Sequence, residues 1–177
     1  MPLYLGILTD TGAFRFPSVQ PRTHEVLAAL LAAGVQHHLV HENLNDNNTI
    51  GRIRLQGYAM SEKLELMEQY PVAIISMTED ELARFNYQKG DTDGLVNFAL
   101  SIKGLKVAIF LSEKEGMIKM SFRSKGSENP VNIMASEHFN GGGHANASGG
   151  RSELSMEATL EKVRALIPLY FGQTAKA

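Results

Sequence analysis

A glycine-rich stretch in the second half of the chain contains residue types that could bind a phosphate. The stretch FNGGGHANASGG, residues 139–150, includes the consecutive glycines Gly141, Gly142 and Gly143, followed by His144. Successive glycines let the backbone adopt positive φ and turn its N–H groups towards an anion, and His144 could donate a hydrogen bond to the same group. The motif is not a Walker loop, because it lacks Gly-Lys-Ser/Thr. Composition alone favours the alternative, a flexible glycine turn with an incidental histidine.

A second candidate group lies upstream, at the end of a predicted strand. The strand GMIKMSFRS ends in Arg123 and Ser124, and its alternation places Lys119, Ser121 and Arg123 on one face and apolar residues on the other. A planar guanidinium suits bidentate recognition of phosphate, whereas a solvated sheet face is the commoner explanation of such a polar row. Because only one short predicted helix separates Arg123 from the glycine-rich stretch, the two could meet in one site.

Two further groups of side chains are candidate metal ligands. Asp10 follows the apolar run LYLGIL, which is predicted to be a buried strand, and α/β proteins bind ligands at the carboxyl ends of strands. A carboxylate there suits a hard divalent cation, although an Asx turn is the simpler alternative. The other group is His37, His38 and His41, for which a polar surface loop is predicted because no carboxylate or cysteine stands at a typical ligand spacing.

The elements predicted to position these residues alternate between helices and strands. The predicted strands are LYLGIL, YPVAIISM, LKVAIFLS and GMIKMSFRS, with a turn at residues 113–116 joining the last two. The predicted helices cover residues 23–34, 49–67, 93–102 and 129–138, and two more begin after the caps Thr78 and Ser155. The order indicates an α/β protein, and a boundary near residues 68–72 divides it into regions 1–70 and 71–177.

Composition restricts the classes of function. The 177 residues carry 17 basic and 19 acidic side chains, a net charge of −2, so any anion must be bound in a local pocket rather than by a broad basic surface. Cysteine is absent, which excludes disulfides and thiolate metal sites and fits the reducing cytoplasm. No basic leader precedes the first apolar run, and no run is long enough to span a membrane. A cytoplasmic protein without a membrane partner is therefore predicted.

Taken together, these motifs resemble those of the DHH phosphoesterases. Residues 92–126 and 132–150 are similar to the C-terminal DHH-associated domain, whose hallmark is a Gly-Gly-Gly-His loop accompanied by an Arg-Ser strand end. Residues 6–31 resemble the last conserved segment of the catalytic DHH domain, whose TDTG-type turn supplies a metal-binding aspartate, in this chain Asp10. The best match within the family is to the bacterial nanoRNases, also described as exopolyphosphatase-related, which are oligoribonucleases that also dephosphorylate 3′-phosphoadenosine 5′-phosphate (pAp).

The resemblance implies a fold, a cofactor and a substrate class. The implied fold is the tail of a parallel-sheet DHH domain followed by a small mixed-sheet α/β DHH-associated domain. In the intact enzyme a pair of divalent ions such as Mn²⁺ would activate water, with Asp10 as one ligand. Substrate binding would fall to Arg123, Ser124 and the loop Gly141–His144, which would hold the phosphates of short RNAs or of pAp.

Several motifs of the catalytic domain are absent from this sequence. The family's His-Asp-Asp segment, a further aspartate and the Asp-His-His triplet are missing, and the pair His37-His38 follows the TDTG turn and so cannot be that triplet. The chain alone is expected to bind no metal pair and to be inactive, as a truncated protein, a gene prediction begun at an internal start, or half of a split protein. Exposed apolar surface would be covered by the catalytic half or by a second copy in a homodimer. The alternative is a free-standing nucleotide- or nucleic-acid-binding module without catalysis.

Overall fold

The chain forms two compact units in the computed structural model, which describes residues 1–16 and 18–172. The units are Met1–Thr49 and Ile50–Ala177. The predicted domain boundary near residues 68–72 falls inside the second unit and stays a prediction. Within the described ranges, no helix combines the length and the apolar character that crossing a membrane requires.

The first unit is helical wherever it has regular structure. Its helices are α1 (Pro2–Asp10), α2 (Pro21–Ala32) and α3 (His37–Asn45). A small core of Tyr4, Leu8, Leu27 and Val40 joins them. The predicted polar loop around the histidines is therefore wrong, since it forms α3, which contributes Val40 to the core.

The predicted first strand, LYLGIL, is also wrong, because these residues lie in α1. Tyr4 and Leu8 are buried whereas Leu3 and Leu5 are exposed. Ile7 is partly buried against the same core, and burial at positions 4, 7 and 8 follows the i, i+3, i+4 spacing of a helix face, not the alternation of a strand. Pro2 at the first helical turn supports the same start.

The second unit is built on a six-stranded mixed sheet. Its strands are β1 (Leu64–Leu66), β2 (Val72–Met77), β3 (Val107–Lys114), β4 (Met117–Ser124), β5 (Gly142–His144) and β6 (Ala147–Ser152). Their order across the sheet is β1-β2-β3-β4-β6-β5. The β2–β3 pair is parallel and the other neighbouring pairs are antiparallel. The predicted α/β class with a small mixed sheet is thus confirmed.

Two apolar cores cover the sheet, one on each face. Five helices pack on it: α4 (Ile50–Glu62), α5 (Glu79–Ala83), α6 (Leu95–Leu100), α7 (Val131–His138) and α8 (Met156–Phe171). The helices α7 and α8 cover one face, where Phe122 of β4 and Phe139 are almost fully buried. The helices α4, α5 and α6 cover the other face, over β2 and β3. The predicted capping box of Thr78 and Glu81 at the start of α5 is confirmed.

The glycine-rich stretch is not the loop that the sequence predicts. It forms the edge hairpin of the sheet, in which β5 pairs with β6 and β6 pairs with β4. Propensity argues against strands in such a stretch, because glycine has no side chain to pack. Hydrogen bonds to α7 and to the residue that follows it hold the hairpin in place instead. The Gly141 N–H donates to the Ala135 carbonyl, and the Arg151 N–H donates to the Phe139 carbonyl.

Neutralising Glu65 is expected to destabilise the second unit at neutral pH but not in acid. The guanidinium of Arg164 in α8 donates to both carboxylate oxygens of Glu65, with Nε–Oε1 at 2.9 Å and Nη2–Oε2 at 2.7 Å. These hydrogen bonds hold the pKa of Glu65 below its ordinary value. The ion pair therefore stabilises the fold above the pKa of the unfolded carboxyl, and this contribution disappears as the pH falls through the lower folded-state pKa.

The measurement is the urea unfolding free energy of the wild type and of Glu65→Gln, at neutral pH and at about pH 3. We expect a difference at neutral pH that shrinks in acid. Glu128→Gln is the matched control, because Glu128 lies 4.0 Å from Lys106 and both side chains are about half exposed, at 52% and 47%; such pairs contribute little. A difference for Glu65→Gln that is equal at both pH values would contradict the expectation.

Candidate functional site

Arg123 and His144 lie in one row across three neighbouring strands. Arg123 of β4 is paired with Ala147 of β6, and Ala147 is paired with His144 of β5. Directly paired residues of a sheet point to the same face, and strands lie about 4.8 Å apart, so the Cα atoms of Arg123 and His144 are about 10 Å apart. The small side chain of Ala147 stands between them. The row is therefore a shallow slot with a guanidinium on one side and an imidazole on the other.

No buried apolar cluster covers β4, β5 and β6 on the face that carries this row, although α6 lies beside β4. The apolar cluster on this side of the sheet includes Ala108 and Phe110 of β3 but no residue of β4, β5 or β6. Accordingly His144 is exposed and Arg123 is half-buried, whereas Phe122, which points to the opposite face, is fully buried. A ligand can therefore approach the slot directly from solvent.

The guanidinium of Arg123 is held by the backbone. Its Nη1 donates to the Phe122 carbonyl at 2.9 Å, and more weakly to the Ser148 carbonyl at 3.5 Å. Within residues 1–16 and 18–172, no carboxylate forms an ion pair with Arg123. Part of the guanidinium is thus fixed while its charge is left uncompensated, which prepares it for an anionic ligand.

Ser124 is not brought together with Arg123 and His144. It is buried, and it is paired with Val107 of β3, which belongs to the core covered by α7 and α8. Its hydroxyl accepts a hydrogen bond from Asn146 Nδ2 at 2.8 Å. Because neighbouring residues of a strand point to opposite faces, the geometry gives Ser124 a positioning role, and direct substrate contact stays an untested prediction.

Asn146 is a residue of the site that the sequence analysis missed. Its Nδ2 also donates to the Gly126 carbonyl at 2.7 Å, and its own carbonyl accepts from the Ser124 N–H at 3.1 Å. These three hydrogen bonds tie the turn between β5 and β6 to the end of β4, and so fix His144 relative to Arg123. The available signal was an asparagine, a residue type that favours turns, two residues after His144 in the glycine-rich stretch.

The three glycines have different reasons to be glycine. A Cβ at Gly141 would lie 2.0 Å from the Gly149 carbonyl oxygen, and a Cβ at Gly143, whose φ is +139°, would lie 2.7 Å from the Ala147 oxygen. A Cβ at Gly142 would meet nothing within 4 Å. The glycines lie in and beside a strand, where successive N–H groups alternate in direction rather than converge. Close strand packing accounts for Gly141 and Gly143, whereas packing does not require glycine at position 142.

The described residues do not fit a two-metal site. Asp10 is exposed at the end of α1, and the rings of His37 and His41 pack around Tyr4, at 6.4 and 6.2 Å between ring centroids. Across residues 1–16 and 18–172, no three histidine, aspartate or glutamate side chains gather as a metal would need. A metal pair requires a cluster of hard ligands, so metal binding by Asp10 stays a prediction.

Comparison with known proteins identifies the family. The model of the DHHA1 domain family matches residues 69–169. The bifunctional oligoribonuclease and PAP phosphatase NrnA of Bacillus subtilis is 29% identical over 147 residues, 83% of this chain and 45% of that protein. Its namesake in Thermus thermophilus is 30% identical over 163 residues, 92% of this chain and 48% of that protein. The chain therefore spans about half the length of the curated relatives it matches.

A solved structure supports the same assignment. The crystal structure of an exopolyphosphatase-related protein from Bacteroides fragilis superposes with a TM-score of 0.90 at 38% identity, covering 95% of this chain and 49% of that one. The family match contains both the strand that carries Arg123 and the hairpin that carries His144. The resemblance drawn from the sequence is thereby confirmed, and the chain belongs to the DHH phosphoesterase family, of which it carries the C-terminal part with the DHHA1 domain.

Proposed function

We propose that the open face of β4, β6 and β5 binds phosphate groups of short oligoribonucleotides or of pAp. In this proposal the chain is the substrate-binding part of a metal-dependent phosphoesterase. The observation that carries the proposal is the row Arg123–Ala147–His144, in which two side chains able to donate hydrogen bonds to phosphate flank a methyl group. The activities by which the relatives are named, oligoribonuclease and PAP phosphatase, supply the substrate class.

Each element of the row has a role in binding. Arg123 offers a fixed guanidinium whose charge no carboxylate of the described residues neutralises, and charge-assisted hydrogen bonds to phosphate are about twice as strong as neutral ones. His144 supplies a second donor from the other side. The side chain of Ala147, between Arg123 and His144, is a single methyl group, and Gly142 beside them has no side chain. A phosphate can therefore approach both donors at once.

Hydrolysis belongs to the whole enzyme in this proposal. A pair of Mn²⁺ or similar ions would supply an activated water there, and this chain would place the scissile phosphate by holding the substrate. We expect the 177-residue chain alone to bind such ligands but to hydrolyse a diribonucleotide far below ordinary enzyme rates. The catalytic partner half, a homodimer and a cytoplasmic location stay predictions.

A second candidate function is nucleotide or nucleic-acid binding without any catalysis. It is favoured by one observation, that the described residues gather no set of metal ligands. Genomic DNA upstream of Met1 discriminates between the two: an in-frame Asp-His-His segment favours the phosphoesterase, whereas an intergenic region favours the binding module.

The first test measures binding to the purified 177-residue chain. Calorimetric titrations with pAp and with adenosine, which has the same base and sugar but no phosphate, should give binding of pAp and none or far weaker binding of adenosine. The affinity for pAp should fall as salt is added. Equal affinity for the two compounds would refute a phosphate site. Turnover of a diribonucleotide at an ordinary rate with Mn²⁺ would refute the expected inactivity of the chain alone.

A further inference from the structure

The open face carries a second cationic row, outside the Arg123–His144 slot. Lys119 of β4 is paired directly with Arg151 of β6, and both side chains are exposed. Like charges placed opposite each other on neighbouring strands destabilise a sheet. Among the described residues, neither cation has a carboxylate partner. An adjacent pair of uncompensated cations is what an anionic ligand would relieve.

The charge of this face differs from that of the chain. Its three strands, β4, β5 and β6, contain Lys119, Arg123, Arg151 and His144 but no aspartate or glutamate, although the whole chain has a net charge of −2. Between the two cationic rows lies the row Ser121–Gly149–Gly142, which has no bulky side chain. The two rows are therefore connected by a flat path along the sheet.

A groove accompanies the second row. It has a volume of about 760 Å³, which is the size of a ligand site, and its lining includes Lys119, Arg151, Ser121, Gly142 and Gly149. Glu115 also lines it, together with Lys114, whose Nζ lies 3.8 Å from the Glu115 carboxylate, so the charged side chains of the groove remain net positive. Neither Arg123 nor His144 lines the groove, so the second row is a separate subsite.

We propose that Lys119 and Arg151 form a second phosphate subsite, which binds a more distant phosphate of an oligoribonucleotide whose near phosphate occupies the Arg123–His144 slot. This inference rests on the proposed function. Four residues of a strand separate Lys119 from Arg123, about 13 Å. One nucleotide step of a single strand is shorter than this, so pAp or a dinucleotide reaches the slot alone, whereas a tetranucleotide reaches both rows.

The test measures how the binding affinity depends on the length of the oligonucleotide and on the charges of Lys119 and Arg151. Fluorescence anisotropy would measure binding of a 5′-phosphorylated diribonucleotide and tetraribonucleotide of one base to the wild-type chain and to Lys119→Ala/Arg151→Ala. We expect the wild type to bind the tetranucleotide more tightly. The double variant should lose about tenfold in affinity for the tetranucleotide and less than threefold for the dinucleotide. Its salt dependence with the tetranucleotide should also be shallower.

The control variant is Lys89→Ala/Lys103→Ala, which removes two exposed positive charges outside the three strands. It should change both affinities equally and only slightly. Equal losses for the two lengths in Lys119→Ala/Arg151→Ala would overturn the second subsite, as would equal affinity of the wild type for both lengths, and both results would leave the proposed function standing. Absence of binding to either oligonucleotide would overturn the inference and the proposed function together.

Discussion

Replacing Arg123 with alanine is expected to weaken binding of pAp to the chain by about 2–4 kcal/mol, roughly 30-fold to 1000-fold in Kd. The reason is that Arg123 is the fixed cation of the slot, with Nη1 held by the Phe122 carbonyl. Fixing the side chain in advance lowers the entropy lost when a ligand binds. Calorimetric titration with pAp measures the loss, and the near-ultraviolet spectrum of the variant checks that the fold is intact.

Two further variants test how Arg123 acts. Arg123→Lys keeps the charge but loses the planar guanidinium, so it should recover only part of the affinity. His144→Ala should also weaken binding, and the double variant should lose less than the sum of the single losses if both side chains hold one phosphate. Unchanged affinity in both Arg123→Ala and His144→Ala would refute the slot.

Gly141→Ala is expected to lower the free energy of unfolding by about 2–3 kcal/mol. The added Cβ would lie 2.0 Å from the Gly149 carbonyl oxygen and 2.7 Å from the Gly150 Cα. Both contacts are with backbone, so no side chain can move aside and the edge of the sheet must shift. Urea unfolding followed by circular dichroism measures the change.

Gly142→Ala is the matched control, because its Cβ would meet no atom within 4 Å. It should leave the unfolding free energy nearly unchanged, although its methyl group stands on the open face where a ligand would approach. If both substitutions were equally destabilising, or both harmless, close packing of β5 against β6 would not explain why Gly141 is glycine.

Regular alternation made the centre of the second unit predictable from the sequence. The predicted hairpin of β3 and β4 is confirmed. Ile118, Met120 and Phe122 repeat with the period of a strand, and all three are buried. The same alternation implies that Ser124 does not share a face with Arg123, because neighbouring residues of a strand point to opposite faces. The sequence indicates that Arg123 and His144 could meet in one site, and the pairing register places them in one row.

Local sequence patterns were not sufficient to predict the remaining elements. A short apolar run such as LYLGIL does not by itself distinguish a helix from a strand. The strand β1 has only three residues, too few to show an alternating pattern, so the helix predicted over residues 49–67 runs through it, whereas α4 ends at Glu62. The hairpin of β5 and β6 has almost no strand propensity, and its register depends on packing against β4 and α7.

Because a core covers only one face of β4, alternate residues of this strand differ in how readily they can be substituted. Its even-numbered residues Ile118, Met120 and Phe122 are buried in the core, whereas its odd-numbered residues Lys119, Ser121 and Arg123 face outward. If this face binds a ligand as proposed, substitutions at the odd positions would change which ligand is preferred without repacking the interior. A library restricted to these positions and to Arg151 would explore new specificities at little cost in stability, while the same number of changes at even positions would unfold the sheet.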